Sequence, residues 1–370
     1  MKICCVFNYN SHYRFPIYKS ISEEFDCDFF FGDNVFTPIK SFDATKLKGF
    51  KGYLKARKLN FSKIIFHTGI SQIFSLKYSH YIITGENLIF INWLIILFAR
   101  LTGRKVYAWT HGVKSDNLKF KTRIAHKMFF LPLTGIFMYN EYYCKYMMRL
   151  GCKKEKIHVI HNSLDTVAQT EIYNSLATGN IYEQHFNNAY PTIIYIGRVQ
   201  KIKKTSMILE AMNLLKASGI NVNLAVVGEN VDDPDFERKV CEYNLEQNVW
   251  LYGACFDEKK NAELIYNAAV CVSPGNVGLT SIHSLTYGTP VVTNNNFSTQ
   301  MPEFEAINEG TTGSFFEENN VCSLAENIKR WLTLSAKERE NVRKAARAEI
   351  EQKWSVKSQI EMLKNCLKRN

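Results

Sequence analysis

Short apolar runs alternate with amphipathic stretches along the whole chain, and that alternation leaves few folds open. Candidate strands in the first half are Ile3–Phe7, Asp28–Phe31, Ile64–Phe66, Tyr81–Thr84, Lys105–Trp109, Gly135–Tyr139 and His158–His161. Helical stretches at Asn87–Leu101 and Asn140–Leu150 separate several of them. Such alternation means βαβ units and a parallel sheet. A polar segment, 166–190, reads as a linker with a helical piece. The pattern then restarts with strands at Thr192–Ile196, Val222–Val227, Val249–Tyr252, Val270–Ser273 and Pro290–Thr293. Helices at Thr205–Ser218, Pro234–Tyr243, Lys259–Asn267 and Ile282–Tyr287 lie between them, and three more close the chain. At 370 residues the chain suits two domains of ordinary size. The expectation is an α/β protein of two doubly wound, Rossmann-like domains facing each other across a cleft. The first spans 1–165, with a C-terminal helix at about 355–370 packing back on it, and the second spans 191–354. Ligands of such sheets bind at the carboxyl ends of the strands, here in the cleft.

Charge divides along the same boundary. Residues 1–165 carry 25 Lys/Arg and 11 Asp/Glu, a net +14, whereas residues 166–370 carry 21 and 24, a net −3. The stretch from Lys40 to Lys63 holds eight basic residues against one acid, Asp43. Such a field attracts polyanions, among them anionic lipid and lipid phosphate; a merely solubilising surface is the plainer alternative. No recognised nucleic-acid motif accompanies it, so a nucleic-acid partner is not expected. The ten Cys form no C-x-x-C pair and lie mostly in apolar runs, as expected of free thiols in a reducing compartment. The apolar start, Ile3–Phe7, is too short for a signal peptide. The run Leu88–Ala99, interrupted by Asn92, is too short to span a bilayer and reads as a buried helix. A cytoplasmic protein is expected.

Two segments carry candidate chemistry. In Tyr195-Ile196-Gly197-Arg198-Val199-Gln200-Lys201-Ile202-Lys203 a strand ends in glycine and a helix begins a few residues later. Arg198 and Lys203 in the connecting loop, with free N–H groups at a helix start, suit a diphosphate; an exposed basic loop is the alternative. In Ser273-Pro274-Gly275-Asn276-Val277-Gly278-Leu279-Thr280 a strand leads through a glycine-containing loop into a helix. Gly275 and Gly278 permit close backbone approach, and the N–H groups of Leu279 and Thr280 would face an anion; a tight turn between buried elements is the alternative. The first strand is not followed by G-x-G-x-x-G, which disfavours an ordinary NAD-binding first domain.

Together and in this order these segments resemble the retaining glycosyltransferases of the GT-B fold, family 4. Four further stretches are similar to family patterns: Trp109-Thr110-His111-Gly112, Val159-Ile160-His161-Asn162-Ser163-Leu164-Asp165, Val226-Val227-Gly228-Glu229, and Pro302-Glu303-Phe304 with Glu309-Gly310-Thr311-Thr312-Gly313. The resemblance runs from about residue 80 to the end. It implies a nucleotide-diphosphate sugar as donor, UDP-sugar first and GDP-sugar second, bound mainly by the second domain. By position Arg198 and Lys203 would hold the diphosphate and stabilise the leaving group. Gly197 would close the strand, Gly228 and Glu229 with the loop after Gly253 would lie near base and ribose, and Gly278, Leu279 and Thr280 would meet phosphates or sugar. His111 would approach the donor sugar. No cofactor and no metal are implied, the nucleotide-sugar being a substrate.

One departure stands out. The family places two Glu eight positions apart around the glycine loop, and here those positions are Gly275 and His283. A neutral His283 could accept a hydrogen bond from ribose through a ring nitrogen; Gly275 offers only backbone. The D-x-D sequences Asp26-Cys27-Asp28 and Asp233-Pro234-Asp235 read as strand start and helix-capping turn rather than metal ligands. His12 and Arg14, just after the first strand, are acceptor-binding candidates, and the basic, aromatic segment Phe36–Phe61 could rest on an anionic membrane surface. The expected function is transfer of a sugar to a glycan, or lipid-linked glycan, acceptor in surface-polysaccharide synthesis, peripheral to the inner face of the membrane. A catalytically degenerate accessory subunit is the alternative, motivated by Gly275.

Overall fold

The computed structural model describes residues 1–34, 39–58 and 63–368. It divides into two compact units, residues 1–165 with 356–370 and residues 166–355. The first holds eight strands: β1 (Lys2–Phe7), β2 (Asp26–Gly32), β3 (Phe50–Lys58), β4 (Ile65–Thr68), β5 (His80–Thr84), β6 (Lys105–Thr110), β7 (Gly135–Met138) and β8 (Ile157–Val159). Their order is β4-β3-β2-β1-β5-β6-β7-β8, and β3 with β4 forms the antiparallel pair in an otherwise parallel sheet. Period-2 alternation along β1 sends Ile3, Cys5 and Phe7 into one core cluster and Cys4 and Val6 into the other, so both faces are covered.

The sheet differs from the sequence expectation at β3. Its lysines and Arg57 hide the strand in the sequence, and Leu54, 1% exposed, is the side chain that anchors it. The basic stretch thus forms a hydrogen-bonded strand next to the sheet edge, where charged side chains also discourage edge-to-edge association. Of the membrane-contact segment Phe36–Phe61, residues 36–38 and 59–61 lie outside the described residues. The helix Val356–Lys368 buries Ile360, Leu363 and Leu367 in the same cluster as Ile17 and Ile21 of the helix Phe15–Glu24. Buried Gln359 ties it to the end of β8 by accepting from Ser163 Oγ at 2.6 Å and donating to the His161 carbonyl at 2.7 Å.

The second unit holds β9 (Thr192–Ile196), β10 (Asn223–Val227), β11 (Val249–Leu251), β12 (Val270–Ser273), β13 (Val291–Asn294) and β14 (Gly313–Phe316), parallel and ordered β11-β10-β9-β12-β13-β14. Residues 166–190, expected to be a linker with a helical piece, are helical at Thr166–Ser175 and Ile181–Phe186 and lie within this unit rather than outside it. Side chains spaced for burial rather than for solvent explain the difference. Tyr182 is buried with its hydroxyl donating to the Leu264 carbonyl at 2.6 Å, and Gln169 donates to Glu258 at 2.8 Å.

Candidate functional site

Each strand order reverses direction at one point, between β1 and β5 in the first sheet and between β9 and β12 in the second. Loops leaving neighbouring strands in opposite directions there open a crevice at the carboxyl edge. Both motif segments of the second unit sit at its reversal point.

The loop after β9 carries Gly197, Arg198 and Lys203. Val199 is held from both sides, its N–H donating to the Glu229 carbonyl at 2.9 Å and its carbonyl accepting from Val231 N–H at 3.0 Å. A Cβ on Gly228 would lie 1.9 Å from the Gly197 carbonyl oxygen, so this turn tolerates no side chain. Glu229 itself is exposed and contributes backbone. Arg198 projects as an exposed guanidinium that no carboxylate meets among the described residues. Neighbouring Lys204, by contrast, is engaged by Glu318 at 2.8 Å and Asn319 at 2.7 Å. Lys203 Nζ donates to the Asn276 carbonyl at 2.8 Å and to Asn276 Oδ1 at 2.7 Å. Burial and the positive charge of Arg198 lower its pKa from the ordinary lysine value, Glu303 opposing.

The loop after β12 packs directly on this one. Gly275 N–H donates to the Lys203 carbonyl at 2.8 Å, and a Cβ on Gly275 would stand 2.5 Å from the Ile202 carbonyl oxygen and 2.6 Å from Lys203 Cα. Glycine at 275 is therefore a packing requirement of the cation loop. The helix Leu279–Thr286 begins at Gly278 without a side-chain cap, which leaves the first N–H groups, Leu279 and Thr280, for a ligand or water. Thr280 Oγ1 fastens that helix to the end of β9 through the Ile196 carbonyl at 3.1 Å. Gly253 lies in the loop that follows β11.

His283, one turn further along, meets a carboxylate that the sequence reading missed. Its Nε2 lies 2.9 Å from Glu258 Oε1, which also accepts from the Tyr287 hydroxyl at 2.7 Å and from Gln169 at 2.8 Å. Burial penalises the Glu258 carboxylate, but the hydrogen bonds from His283, Gln169 and Tyr287 outweigh it and hold its pKa at about 2. His283 thus uses Nε2 to position Glu258, leaving only Nδ1 for the ribose contact expected of it. Glu258 opens a helix after a loop and sits in no motif, so no sequence signal marks it. A carboxylate with a depressed pKa stabilises the fold above its ordinary value and loses that contribution as pH falls through the depressed one. Melting temperatures of the wild type and Glu258→Gln are expected to differ above pH 4.5 and to converge as the pH falls toward 2.

The reversal point of the first sheet forms a cavity of about 150 Å³, lined by Asn8, Arg14, Glu86, Trp109, His111 and Tyr139 among others. Arg14 lies over the Trp109 and Tyr139 rings, 5.3 and 5.1 Å from their centroids, and donates to the Tyr139 hydroxyl. The His111 ring lies 4.5 Å from the Tyr139 ring, tilted 41° to it, and burial, Lys114 and Arg14 press its pKa down to about 3, so the imidazole is neutral. Its Nδ1 and the Trp109 Nε1 are buried without a hydrogen-bond partner among the described residues, which leaves both open to a ligand or water. His12 is exposed and bonds the Lys40 carbonyl rather than lining this cavity.

Asp28 of the first D-x-D accepts from Tyr78 at 2.7 Å and pairs with Lys77 at 3.0 Å, and Asp233 of the second accepts from Ser206 at 2.9 Å. Among the described residues no group of three or more His, Cys, Asp or Glu side chains is placed to hold a metal ion.

Two reversal points, each with a polar site at its carboxyl edge, define a GT-B fold, and solved structures share it over their full lengths. The Anabaena protein HepE in complex with UDP superposes with a TM-score of 0.74 at 12% identity, each chain covered completely. A glycosyltransferase from Rickettsia africae gives 0.74 at 16% identity, covering 100% of this chain and 99% of that one. Sucrose-phosphate synthase from Thermosynechococcus elongatus gives 0.68 at 14% identity, covering 100% and 99%. Residues 180–349 match the family model described as Glycosyl transferases group 1, so the second unit carries a domain of that group. No curated protein matches the chain.

Proposed function

We propose that this protein is a retaining glycosyltransferase of family 4 that moves a sugar from a nucleotide-diphosphate sugar to a glycan acceptor. The observation that carries the reading is the pairing at the β9–β12 reversal point of a free guanidinium, Arg198, with Lys203 and an uncapped helix start. Glycosyl transfer builds negative charge on the departing diphosphate, and fixed cations with aligned N–H groups stabilise it without reorganising. Arg198 contacts the diphosphate, Lys203 and Asn276 shape the loop beneath it, and Leu279 and Thr280 donate backbone N–H groups. UDP is the first-choice nucleotide and GDP the second; HepE, solved with UDP and with UDP-glucose, supports the first. Glu258 Oε2, left open by the three donors on Oε1, accepts from ribose hydroxyls. In the first unit, neutral His111 and the Trp109 Nε1 bond sugar hydroxyls, and Arg14 takes acceptor phosphate or holds the pocket's aromatic wall. Cationic side chains do the electrostatic work, so a chelator is expected to leave turnover unchanged.

The acceptor is a lipid-linked glycan in surface-polysaccharide synthesis, and the protein works on the cytoplasmic face of the membrane. Packing supplies a reason for glycine at 275, which favours the catalytic reading over the accessory-subunit alternative. The reading is tested by thermal stability with UDP, GDP, ADP and CMP. A nucleotide at 100 times its dissociation constant should stabilise by about 2.7 kcal/mol, with UDP giving the largest shift. No shift with any nucleotide would remove the reading.

A further inference from the structure

Two neighbouring helices of the first unit turn apolar side chains outward. The helix Phe90–Thr102 buries Ile91, Ile95 and Ala99 against the sheet, yet Leu97 and Leu101 stand 57% and 79% exposed. The run Leu88–Ala99, read from sequence as a buried helix, is therefore apolar on both faces. The helix Phe120–Phe130 likewise buries Phe129 and Phe130, while Phe120 and Met128 are 77% and 63% exposed with Ile124 between them. Positions 120, 124 and 128 follow one another at successive turns and form one stripe. Trp93 and Phe129 meet at 5.3 Å between ring centroids, and the buried faces of both helices enter one core cluster. The helices thus cover the same face of the sheet, and each carries exposed apolar side chains on the side away from that core.

The segment that carries both helices is rich in one sign of charge. Residues 87–131 hold eight Lys/Arg against one acid, Asp116, which Arg149 already engages. Lys119, Lys121 and Lys127 are exposed and beside the stripe. Scattered exposed apolar residues are ordinary, but a continuous stripe edged by cations is not. A second copy of this chain would bring like charges together at that face, whereas an anionic lipid surface complements them.

We propose that this two-helix face docks on an anionic lipid surface, with Leu97, Leu101, Phe120, Ile124 and Met128 entering the boundary between headgroups and acyl chains and the three lysines meeting lipid phosphates. No helix among the described residues is long and apolar enough to cross a membrane, so the contact is one of lying on the bilayer. The inference deepens the membrane-surface part of the proposed function by naming the surface, and moves it away from the segment Phe36–Phe61.

Co-sedimentation with phosphatidylcholine vesicles, with and without phosphatidylglycerol, tests it. The wild type is expected to bind the anionic vesicles, more weakly as salt rises. Leu101→Ser with Phe120→Ser and Met128→Ser should lower that binding by about tenfold or more, and Lys121→Gln with Lys127→Gln should lower it and flatten its salt dependence. Both variants should keep the wild-type thermal shift with UDP, which shows the fold intact. Failure of the wild type to bind anionic vesicles, or full binding by the triple-Ser variant, overturns the proposal. So does gel filtration showing a dimer that the triple-Ser variant abolishes while vesicle binding is absent. Vesicle docking without any nucleotide shift would leave this inference standing and remove the glycosyltransferase reading instead.

Discussion

Replacing Arg198 by Ala is expected to lower kcat for sugar transfer by about 10² to 10³-fold, the loss seen when one preorganised donor to a developing anion is removed. The side chain is exposed and meets no carboxylate among the described residues, so its removal leaves no buried group there unpaired and the melting temperature should hold. Because the charge that the proposed role gives it to face develops during transfer, kcat should fall far more than the affinity for UDP. Lys203→Ala should cost a similar factor by a different route. Its ammonium ties the cation loop to Asn276 at both the carbonyl and Oδ1, so that loss also loosens the loop on which Arg198 stands. The two losses should therefore be less than additive when combined. Steady-state kinetics with UDP-sugar and the melting curve of each variant separate these effects. Unchanged turnover in Arg198→Ala would sink the proposed role.

The second large effect runs against what family resemblance alone would suggest. Installing the family's carboxylate by Gly275→Glu is expected to reduce activity by at least about tenfold, not to restore it. A side chain at 275 needs space already filled by the Ile202 carbonyl and the Lys203 backbone, 2.5 and 2.6 Å from the position of a Cβ. The loop must move, breaking the bond from Gly275 N–H to the Lys203 carbonyl and displacing both cations. Overpacking of this kind costs about 1–3 kcal/mol, which a lowered melting temperature would register. Gly275→Ala should show much of the same loss, since the clash begins at Cβ. Wild-type stability and turnover in Gly275→Ala would show that the loop yields, and would return the departure at 275 to a question of sugar specificity.

Most of the second unit was legible because its signals are local. The strands Thr192–Ile196 and Val270–Ser273 carry unbroken apolar runs, and glycines with cations mark the loops that leave them. The missed strands fail for equally local reasons. Lysines mask β3, whose single buried anchor is Leu54, and β14 opens in a glycine-rich turn. Helix Phe90–Thr102 was legible as a helix but not in its exposure, since an apolar outer face and an apolar inner face look alike in sequence.

The amino-acid sequence by itself determined the order of elements, the two-sheet architecture and the place of the cation loop, because each follows from periodicity, glycine and charge within a few residues. Only the tertiary structure decided that Gly275 must be glycine, that His283 positions Glu258, that Arg14 lies over Trp109 and Tyr139, and which helix faces remain uncovered. Each of these is a contact, or the lack of one, between residues far apart along the chain, and distances across a packed fold are written in no local pattern.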